Sequence, residues 1–281
     1  GDAAILKPGL TMLEEKTHLP VLGVVPYLQV DIEDEDSLSS RLESSCAVKP
    51  LDAAILRLPH ISNFTDFMPL EQHELLGVRY VQRARELGRP DLVILPGTKN
   101  TMEDLLWLRQ NGLEAAALKL AHAGTPILGV CGGYQMLGQT LDDPQGTESG
   151  RPMALSGLGL LPTRTVFDAQ KRRMQVRAAA QGELFGGARL TGYEIHNGRT
   201  EVGGAPFCML EDGTPEGCVN RNVFGTYLHG LFDSGELTGE DWSDPDILEF
   251  AGALSSSSSM RTPNALRDQT TSTAYLTAAD P

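Results

Sequence analysis

Cys131 is the residue whose neighbours most clearly suggest chemistry. It lies within TPILGVCGGYQMLG, residues 125–138, where an apolar run ends at the thiol and two glycines follow it. This order predicts a buried strand, a tight turn and the first turn of a helix. A nucleophile on such a turn is presented to a substrate, and the backbone N–H groups that follow it point toward a developing oxyanion.

The positions after Cys131 support this interpretation. Gly132 and Gly133 have no Cβ, so a substrate carbonyl and a tight turn can both approach the backbone. The predicted helix N-terminus would favour the thiolate. We therefore interpret Cys131 as a candidate nucleophile, with a buried structural cysteine as the alternative. Gln135, on the predicted helix, would contact the substrate, brace the oxyanion loop or pack on the sheet.

A cysteine nucleophile needs a base, and two of the six histidines lie where a strand-like segment ends. His229 ends the segment FGTYLH and is followed by Gly230, while His196 ends GYEIH. We interpret His229 as the candidate base of Cys131 and expect His196 to have a structural role. For both residues the alternative is a hydrogen-bonded histidine in the core.

The remaining cysteines indicate no further site. Cys46, Cys208 and Cys218 are interpreted as small buried hydrophobic residues. No CxxC pair or Cys/His cluster has the spacing of metal ligands, so no metal is predicted. Four cysteines in a chain of 281 residues do not form a disulfide framework, which favours a reducing, cytoplasmic location.

The charge of the chain excludes some classes of partner. Its 37 acidic and 23 basic residues give a formal net charge of -14. Such a chain repels phosphate, so we expect neither a nucleic acid nor an anionic membrane as a partner. No apolar run is long enough to span a membrane, and the first residues do not form a signal peptide. Because the sequence begins with Gly rather than Met, we expect a fragment of a longer chain.

Short apolar strands alternate with helical stretches from about residue 48 to residue 150. The strand-like segments are LDAAILRL, DLVILPG and TPILGV; the stretch TKNTMEDLLWLRQNGLEAAALKLAHAG is predicted helical, and LPHISNFTDFMPLEQ is predicted to be a loop. This alternation predicts βαβ units and a mostly parallel sheet. Sites in such sheets form beyond the carboxyl ends of the strands, where the loop with Gly97 and the turn with Cys131 both lie.

The two ends of the chain have a different texture. Residues 1–45 contain a helical pattern in PGLTMLEEKTH, a predicted buried strand in LPVLGVVPYL and an acidic, solvated segment. After Gly150, strand-like pieces separated by Gly and Pro turns predict an antiparallel extension of the sheet. Residues 243–281 are rich in Ser and Thr, and we expect them to be mostly disordered.

Four motifs together resemble the glutamine amidotransferase domain of the cobyric acid synthase family, which acts in cobalamin biosynthesis: LPGTKNTMEDLLWLR, GVCGGYQMLG, GYEIHNGRT and GTYLHGLF. Upstream, GDAAILKPGLTMLEEKTHLPVLGVVPYL resembles the end of that family's ATP-dependent synthetase domain. The resemblance covers about residues 1–235. It implies an α/β fold like that of class I glutamine amidotransferases, in which helices flank a mostly parallel sheet with an antiparallel extension.

The resemblance also implies which role each part of the chain has. Residues 1–45 would be the end of the synthetase domain, residues 48–240 the amidotransferase domain and residues 243–281 the disordered tail. The amidotransferase domain would hydrolyse L-glutamine and pass ammonia to the synthetase domain, where ATP activates corrin side-chain carboxylates. Cys131 would be the nucleophile and His229 the general base. Gly97 and the N–H group of Gly132 would form the oxyanion site.

The sequence departs from related enzymes in two respects. Many glutamine amidotransferases have a Glu two residues after the catalytic His, but this chain has Leu231 there. A Cys–His dyad is therefore predicted, with no residue named to orient His229. No P-loop motif, GxxxxGK followed by Ser or Thr, occurs in the sequence. We therefore expect no cofactor on this chain, with ATP and Mg bound by the full-length enzyme.

The sequence leaves two alternative functions open. The first is a glutaminase subunit that serves a Mur-ligase-like partner in lipid II amidation. The upstream segment argues against it, because a separate subunit would not need that segment. The second is a non-catalytic binding module, which the missing P-loop and the unusual tail keep in consideration.

Overall fold

The computed structural model describes residues 3–24, 49–181 and 187–233. The chain divides into two compact units, residues 1–34 and residues 35–281. The first unit contains helix α1 (Ala3–Thr17), which confirms the helical pattern of that segment. Within the described helices of both units, none combines the length and the apolar character needed to cross a membrane.

The prediction of a buried strand in LPVLGVVPYL is wrong for residues 19–24. These residues form no strand, and the side chains of Leu19, Leu22 and Val24 are exposed. An apolar run becomes a strand only when a neighbouring strand pairs with its backbone and covers one of its faces, and no described residue does so here. The rest of that segment, the acidic segment, Cys46 and the tail at 243–281 lie outside the described residues.

The second unit is organised around a six-stranded sheet. Its strands run in the order β11, β12, β4, β3, β1, β2, and every neighbouring pair is parallel except the antiparallel pair of β11 and β12. This confirms the predicted, mostly parallel sheet. The strands are β1 (Leu51–Leu56), β2 (Leu76–Val81), β3 (Leu92–Leu95), β4 (Ile127–Val130), β11 (Cys218–Asn220) and β12 (Val223–Thr226).

Short helices connect the parallel strands, because a parallel pair needs a crossover rather than a hairpin. The predicted long helical stretch is divided at Asn111 and Gly112, where Gly112 has the positive φ of a helix terminus. The predicted loop before β2 also contains a 3-10 turn, Phe64–Phe67, followed by a helix. The helices of this unit are α2 (Met68–Gln72), α3 (Ala84–Leu87), α4 (Thr101–Gln110), α5 (Leu113–His122) and α6 (Gly132–Leu137).

A second, mostly antiparallel sheet corresponds to the predicted extension. Its centre is the long antiparallel pair of β7 and β8, and β13 pairs with the outer side of β8. Its strands are β5 (Thr140–Asp143), β6 (Met153–Ser156), β7 (Thr163–Ala180), β8 (Arg189–Val202), β9 (Cys208–Leu210), β10 (Pro215–Glu216) and β13 (Leu228–His229).

The order of the strands determines where the site forms. β4 and β12 are adjacent and parallel, with Val130 opposite Thr226. Their carboxyl ends therefore lie at the same edge of the sheet, and the chain continues to Cys131 after one and toward His229 after the other. The side chains of β4 and β12 are buried, so the rim that carries these two residues rests on the core.

Candidate active site

Cys131 occupies a sharp turn between β4 and α6. Its φ of +51° and ψ of −108° form a conformation that residues with a Cβ rarely adopt. The turn is held on both sides, since the N–H of Cys131 donates to the Thr226 carbonyl at 2.8 Å and its carbonyl accepts from the N–H of Gln135 at 3.0 Å. The thiol itself is half-buried and donates to the Ile195 carbonyl at 3.6 Å.

The two glycines after Cys131 are required by packing against the neighbouring β3 loop. A Cβ at Gly133 would overlap the Leu95 carbonyl, and one at Gly132 would lie 2.6 Å from the Thr98 Cγ2 atom. Neither contact is possible for a real side chain. The pair of glycines therefore seats the start of α6 directly on the loop that follows β3, in addition to leaving the backbone open.

His229 ends strand β13 and lies beside the same loop. Its side chain is 1% exposed. A Cβ placed on Gly97 would lie 3.4 Å from the His229 Cε1 atom, so the ring and the predicted oxyanion loop are in contact distance of one another. The thiol of Cys131 interacts with the same imidazole. The structure thus places Cys131, His229 and the Gly97 loop close to one another.

Asp66 is the residue that holds His229, and no local pattern in the sequence indicates this role. An Oδ2 atom of Asp66 lies 2.6 Å from Nδ1 of His229, and Oδ1 accepts from the N–H of Gly230 at 3.1 Å. Asp66 is buried within the 3-10 turn that follows β1. The two partners are 163 positions apart. No spacing rule could have connected them, although Asp66 lies in a segment that was predicted to be a loop.

The environment of His229 raises the pKa of its imidazole. Burial by itself lowers that pKa, but the hydrogen bond to Asp66 and the interaction with the Cys131 thiol, together with the charges of these groups, raise it from 6.5 to about 10. Nε2 is buried and makes no hydrogen bond of strict geometry with a described residue. The thiol of Cys131 is therefore close enough to affect the imidazole, and Nε2 is the ring nitrogen left for an exchange of protons with it.

An aromatic ring covers one face of the His229 imidazole. Tyr193 stacks on His229 with ring centroids 5.2 Å apart and an interplanar angle of 21°. Its hydroxyl accepts from the Asn63 side chain at 2.9 Å. Tyr227, although it is close to His229 in sequence, instead stacks on His196 with centroids 3.6 Å apart. His196 is thus a buried residue that stacks on Tyr227, in agreement with the structural role expected for it.

Two backbone N–H groups are available at the predicted oxyanion site. Neither the Gly97 N–H nor the Gly132 N–H donates to another group among the described residues. The Gly97 loop is itself fixed, because its carbonyl accepts from the N–H of Ser62 at 2.9 Å. Neither N–H group therefore has an acceptor among the described residues, and each can donate to an oxygen that a substrate supplies.

Gln135 has a bracing position. Its side chain is buried; Oε1 accepts from the Thr101 hydroxyl at 3.1 Å, and Nε2 donates to the Asn197 carbonyl and to the Tyr227 hydroxyl, each at 3.1 Å. These partners come from α4, β8 and the segment before β13. Both amide hydrogens are used within the protein, so Gln135 connects the walls of the site and leaves no donor for a substrate.

A buried carboxylate binds the last residue of β12 and the residue that follows it. Glu216 accepts from the N–H of Tyr227 at 2.6 Å, from the Thr226 hydroxyl at 2.7 Å and from the Cys208 thiol at 3.3 Å. Burial raises the pKa of Glu216 to about 7, although these hydrogen bonds lower it.

Cys208 and Cys218 are fully buried, which confirms the interpretation of both as core residues.

Comparison with known proteins identifies relatives of this chain. Residues 52–237 match the family described as "CobB/CobQ-like glutamine amidotransferase domain". A protein named cobyric acid synthase from Ruminiclostridium cellulolyticum is 48% identical over 254 residues, which are 85% of this chain and 49% of that protein. Proteins of the same name from Alkaliphilus metalliredigens and Listeria monocytogenes serotype 4a are 46% and 43% identical. They cover 83% and 85% of this chain, and 50% and 48% of their own lengths. The chain thus spans about half the length of these curated relatives.

Solved structures support the fold. A crystal structure titled glutamine amidotransferase has a TM-score of 0.51 and 17% identity, and it covers 71% of this chain and 98% of its own. The structure of PurLQS from Thermotoga maritima has the same TM-score and 18% identity, with coverage of 78% and 99%. At these identities the comparison establishes the arrangement of strands and helices and nothing finer.

Proposed function

The chain belongs to the CobB/CobQ-like glutamine amidotransferase family, and we propose that it hydrolyses L-glutamine through a thioester on Cys131. His229 is the acid and base of this reaction. Gly97 and Gly132 donate to the oxyanion, and Gln135 braces the site. The observation that carries the proposal is the strained turn at Cys131, whose thiol interacts with the imidazole of His229.

The reaction runs in two acyl transfers. The sulfur of Cys131 attacks the side-chain amide carbon of glutamine, and the carbonyl oxygen becomes an oxyanion between the two backbone N–H groups. The C–N bond breaks as His229 passes the thiol proton to the nitrogen, which leaves as ammonia. His229 then takes a proton from water, which attacks the thioester and releases glutamate and the thiol. A raised imidazole pKa suits the step in which His229 donates to the leaving nitrogen.

We further propose that the ammonia serves the amidation of corrin side-chain carboxylates. The names of the curated relatives support this, together with the resemblance of the upstream segment to a synthetase domain. In this proposal ATP and Mg are bound by the synthetase part of the longer enzyme. The residues of this sequence do not fit such a site, because the sequence contains no P-loop motif. A cytoplasmic location stays a prediction from the cysteine content.

The names of the relatives also bear on the alternatives. They favour a cobyric acid synthase over a glutaminase subunit for lipid II amidation. A non-catalytic binding module is disfavoured by the strain at Cys131, since a binding role gives no reason to keep a Cβ at a φ of +51°.

Ammonia release from glutamine by the purified chain tests the proposal. We expect the wild-type chain to release ammonia and glutamate in equal amounts, and Cys131→Ala to reduce the rate to background. Cys218→Ala is the matched control, because it removes a buried thiol outside the site and is expected to retain the rate. Activity that survives in Cys131→Ala would refute the proposal.

A second measurement separates weak activity from the absence of a site. A diazoketone analogue of glutamine is expected to modify Cys131, and glutamine should protect the thiol. If mass spectrometry finds Cys208 or Cys218 modified at the same rate, or finds no protection, the chain does not bind glutamine at Cys131.

A further inference from the structure

We propose that Asp66 is a positioning residue that completes a Cys131–His229–Asp66 relay from a segment ahead of the nucleophile in the chain. This inference rests on the proposed function. Related enzymes have a Glu two residues after the catalytic histidine, where this chain has Leu231. We assign the role of that Glu to the carboxylate of Asp66. The role of Asp66 is to fix which nitrogen of His229 carries the proton in the neutral ring.

The contacts of the Asp66 carboxylate determine that tautomer. A carboxylate oxygen accepts, so the His229 nitrogen 2.6 Å away, Nδ1, is the donor. Nε2 is then the nitrogen left to exchange a proton with Cys131. The second carboxylate oxygen accepts from the N–H of Gly230, the residue after the histidine. Because both oxygens bind the same short segment, the carboxylate cannot rotate without losing one of its partners.

The segment that carries Asp66 also contacts the other parts of the site. Ser62 donates its N–H to the Gly97 carbonyl, and Asn63 donates its side-chain amide to the Tyr193 hydroxyl. Asn63 has a φ of +52°, which places Asp66 and these two donors on one compact turn. A single segment of five residues, 62–66, therefore fixes the oxyanion loop, the ring that covers His229 and the imidazole itself.

The surroundings of His229 leave Asp66 as its direct carboxylate partner among the described residues. The groups that face the imidazole are the thiol of Cys131, the carboxylate of Asp66 and the ring of Tyr193. The carboxylate of Asp233 lies next to the backbone of Gly230, where a Cβ on that glycine would be 3.0 Å from its oxygen, while Asp66 and Cys131 are the groups that chiefly raise the pKa of His229. A change at Asp66 is thus expected to affect the imidazole directly.

Asp66→Asn is the decisive variant. An Asn at this position can present its NH₂ group to Nδ1, which moves the ring proton to Nε2 and blocks proton transfer from Cys131. We expect kcat for ammonia release to fall by roughly 10²- to 10⁴-fold, the usual contribution of a general acid–base, with KM for glutamine changed by less than about threefold. Asp66→Glu, which keeps a carboxylate, is expected to restore part of kcat.

Asp52→Asn is the matched control for stability. Asp52 also forms a close carboxylate contact, with Arg79 at 2.8 Å, but it lies at the amino end of β1, away from the site. We expect this variant to lose stability and to retain kcat. If Asp66 had only a structural role, Asp66→Asn would retain kcat as Asp52→Asn does, when each variant is assayed at a temperature where it is fully folded.

Ring ¹⁵N NMR of His229 tests the relay independently of turnover. In the wild-type chain at high pH we expect the proton on Nδ1, and in Asp66→Asn on Nε2, with the pKa of His229 lowered by at least one unit. A wild-type ring protonated on Nε2 would overturn the inference even if Asp66→Asn failed to fold. If the wild-type chain released no ammonia but showed the Nδ1 tautomer, the proposed function would fail and the Asp66–His229 pair would stand.

Discussion

The backbone of Cys131 has a conformation that non-glycine residues rarely adopt, and this conformation lowers the stability of the fold. A non-glycine residue in a sparsely populated region of φ and ψ costs about 1–3 kcal/mol. The surrounding hydrogen bonds at the Cys131 N–H and carbonyl impose that conformation. The strain keeps the thiol at the rim of the sheet, where a substrate can reach it.

Replacing Cys131 by glycine is therefore expected to stabilise the fold relative to replacing it by alanine. Both variants lose the thiol, but only glycine relieves the strain, so the free energy of unfolding of Cys131→Gly should exceed that of Cys131→Ala by about 1 kcal/mol. Urea unfolding monitored by circular dichroism measures the difference. Equal stabilities of the two variants would show that the turn is unstrained.

At the scale of the elements, Glu216 connects strands of the two sheets. It lies on β10 of the second sheet, and it accepts from Thr226 at the end of β12 and from Tyr227 just after it. Thr226 in turn accepts the N–H of Cys131 with its carbonyl. The carboxylate thus fixes residues 226–227, which bind the backbone of Cys131 on one side and lead to His229 on the other.

Removing this carboxylate is expected to destabilise the protein. Glu216→Ala leaves the Tyr227 N–H and the Thr226 hydroxyl buried without an acceptor, which costs roughly 2–4 kcal/mol. Glu216→Gln keeps an oxygen acceptor and should lose less. Glu211→Ala, which removes an exposed carboxylate, is the control and should change the free energy of unfolding by less than about 0.5 kcal/mol. Similar losses in the Glu211 and Glu216 variants would contradict the connection.

At the scale of the whole molecule, Glu216 and His229 are among the buried groups that bind protons more tightly in the folded state than in the unfolded state. The pKa of Glu216 is raised from 4.5 to about 7, and that of His229 from 6.5 to about 10. For His229 the stabilisation is complete below pH 6.5 and is lost as the pH rises through 10. For Glu216 burial disfavours the ionised form, so stability falls as the pH rises from 4.5 to 7.

The free energy of unfolding is therefore expected to decrease between pH 6.5 and 9. One extra proton held by the folded state corresponds to a slope of about 1.4 kcal/mol per pH unit, which is the upper bound for His229 alone. Urea unfolding at pH 6.5, 7.5 and 8.5 measures the slope, and His229→Gln should flatten it. A stability that rises with pH over this range in the wild-type chain would show that the imidazole is not held in its charged form.

The partners of this chain also belong to this scale. It spans about half the length of the curated relatives that it matches. Glutamine hydrolysis can be tested on the chain by itself, but amide formation requires the synthetase part that we propose for the longer enzyme.

The sequence by itself determined which residues could do the chemistry and which kind of fold carries them. Cys131 could be found because a strand, a nucleophile and two glycines follow one another within a few positions. The parallel sheet could be found because its apolar strands and helices alternate along the chain. Both are local patterns, and local patterns are visible in a sequence. The resemblance of the motifs likewise led to the family that the comparisons established.

Only the tertiary structure revealed the partners that lie far apart in the chain. Asp66 meets His229 from 163 positions away, Tyr193 covers the same ring in place of the adjacent Tyr227, and Glu216 reaches across from the second sheet. The apolar segment at residues 19–24 forms no strand for the same reason, since pairing depends on a neighbour that the local sequence cannot specify. Contacts of this kind are fixed by the packing of the two sheets, which places distant residues side by side.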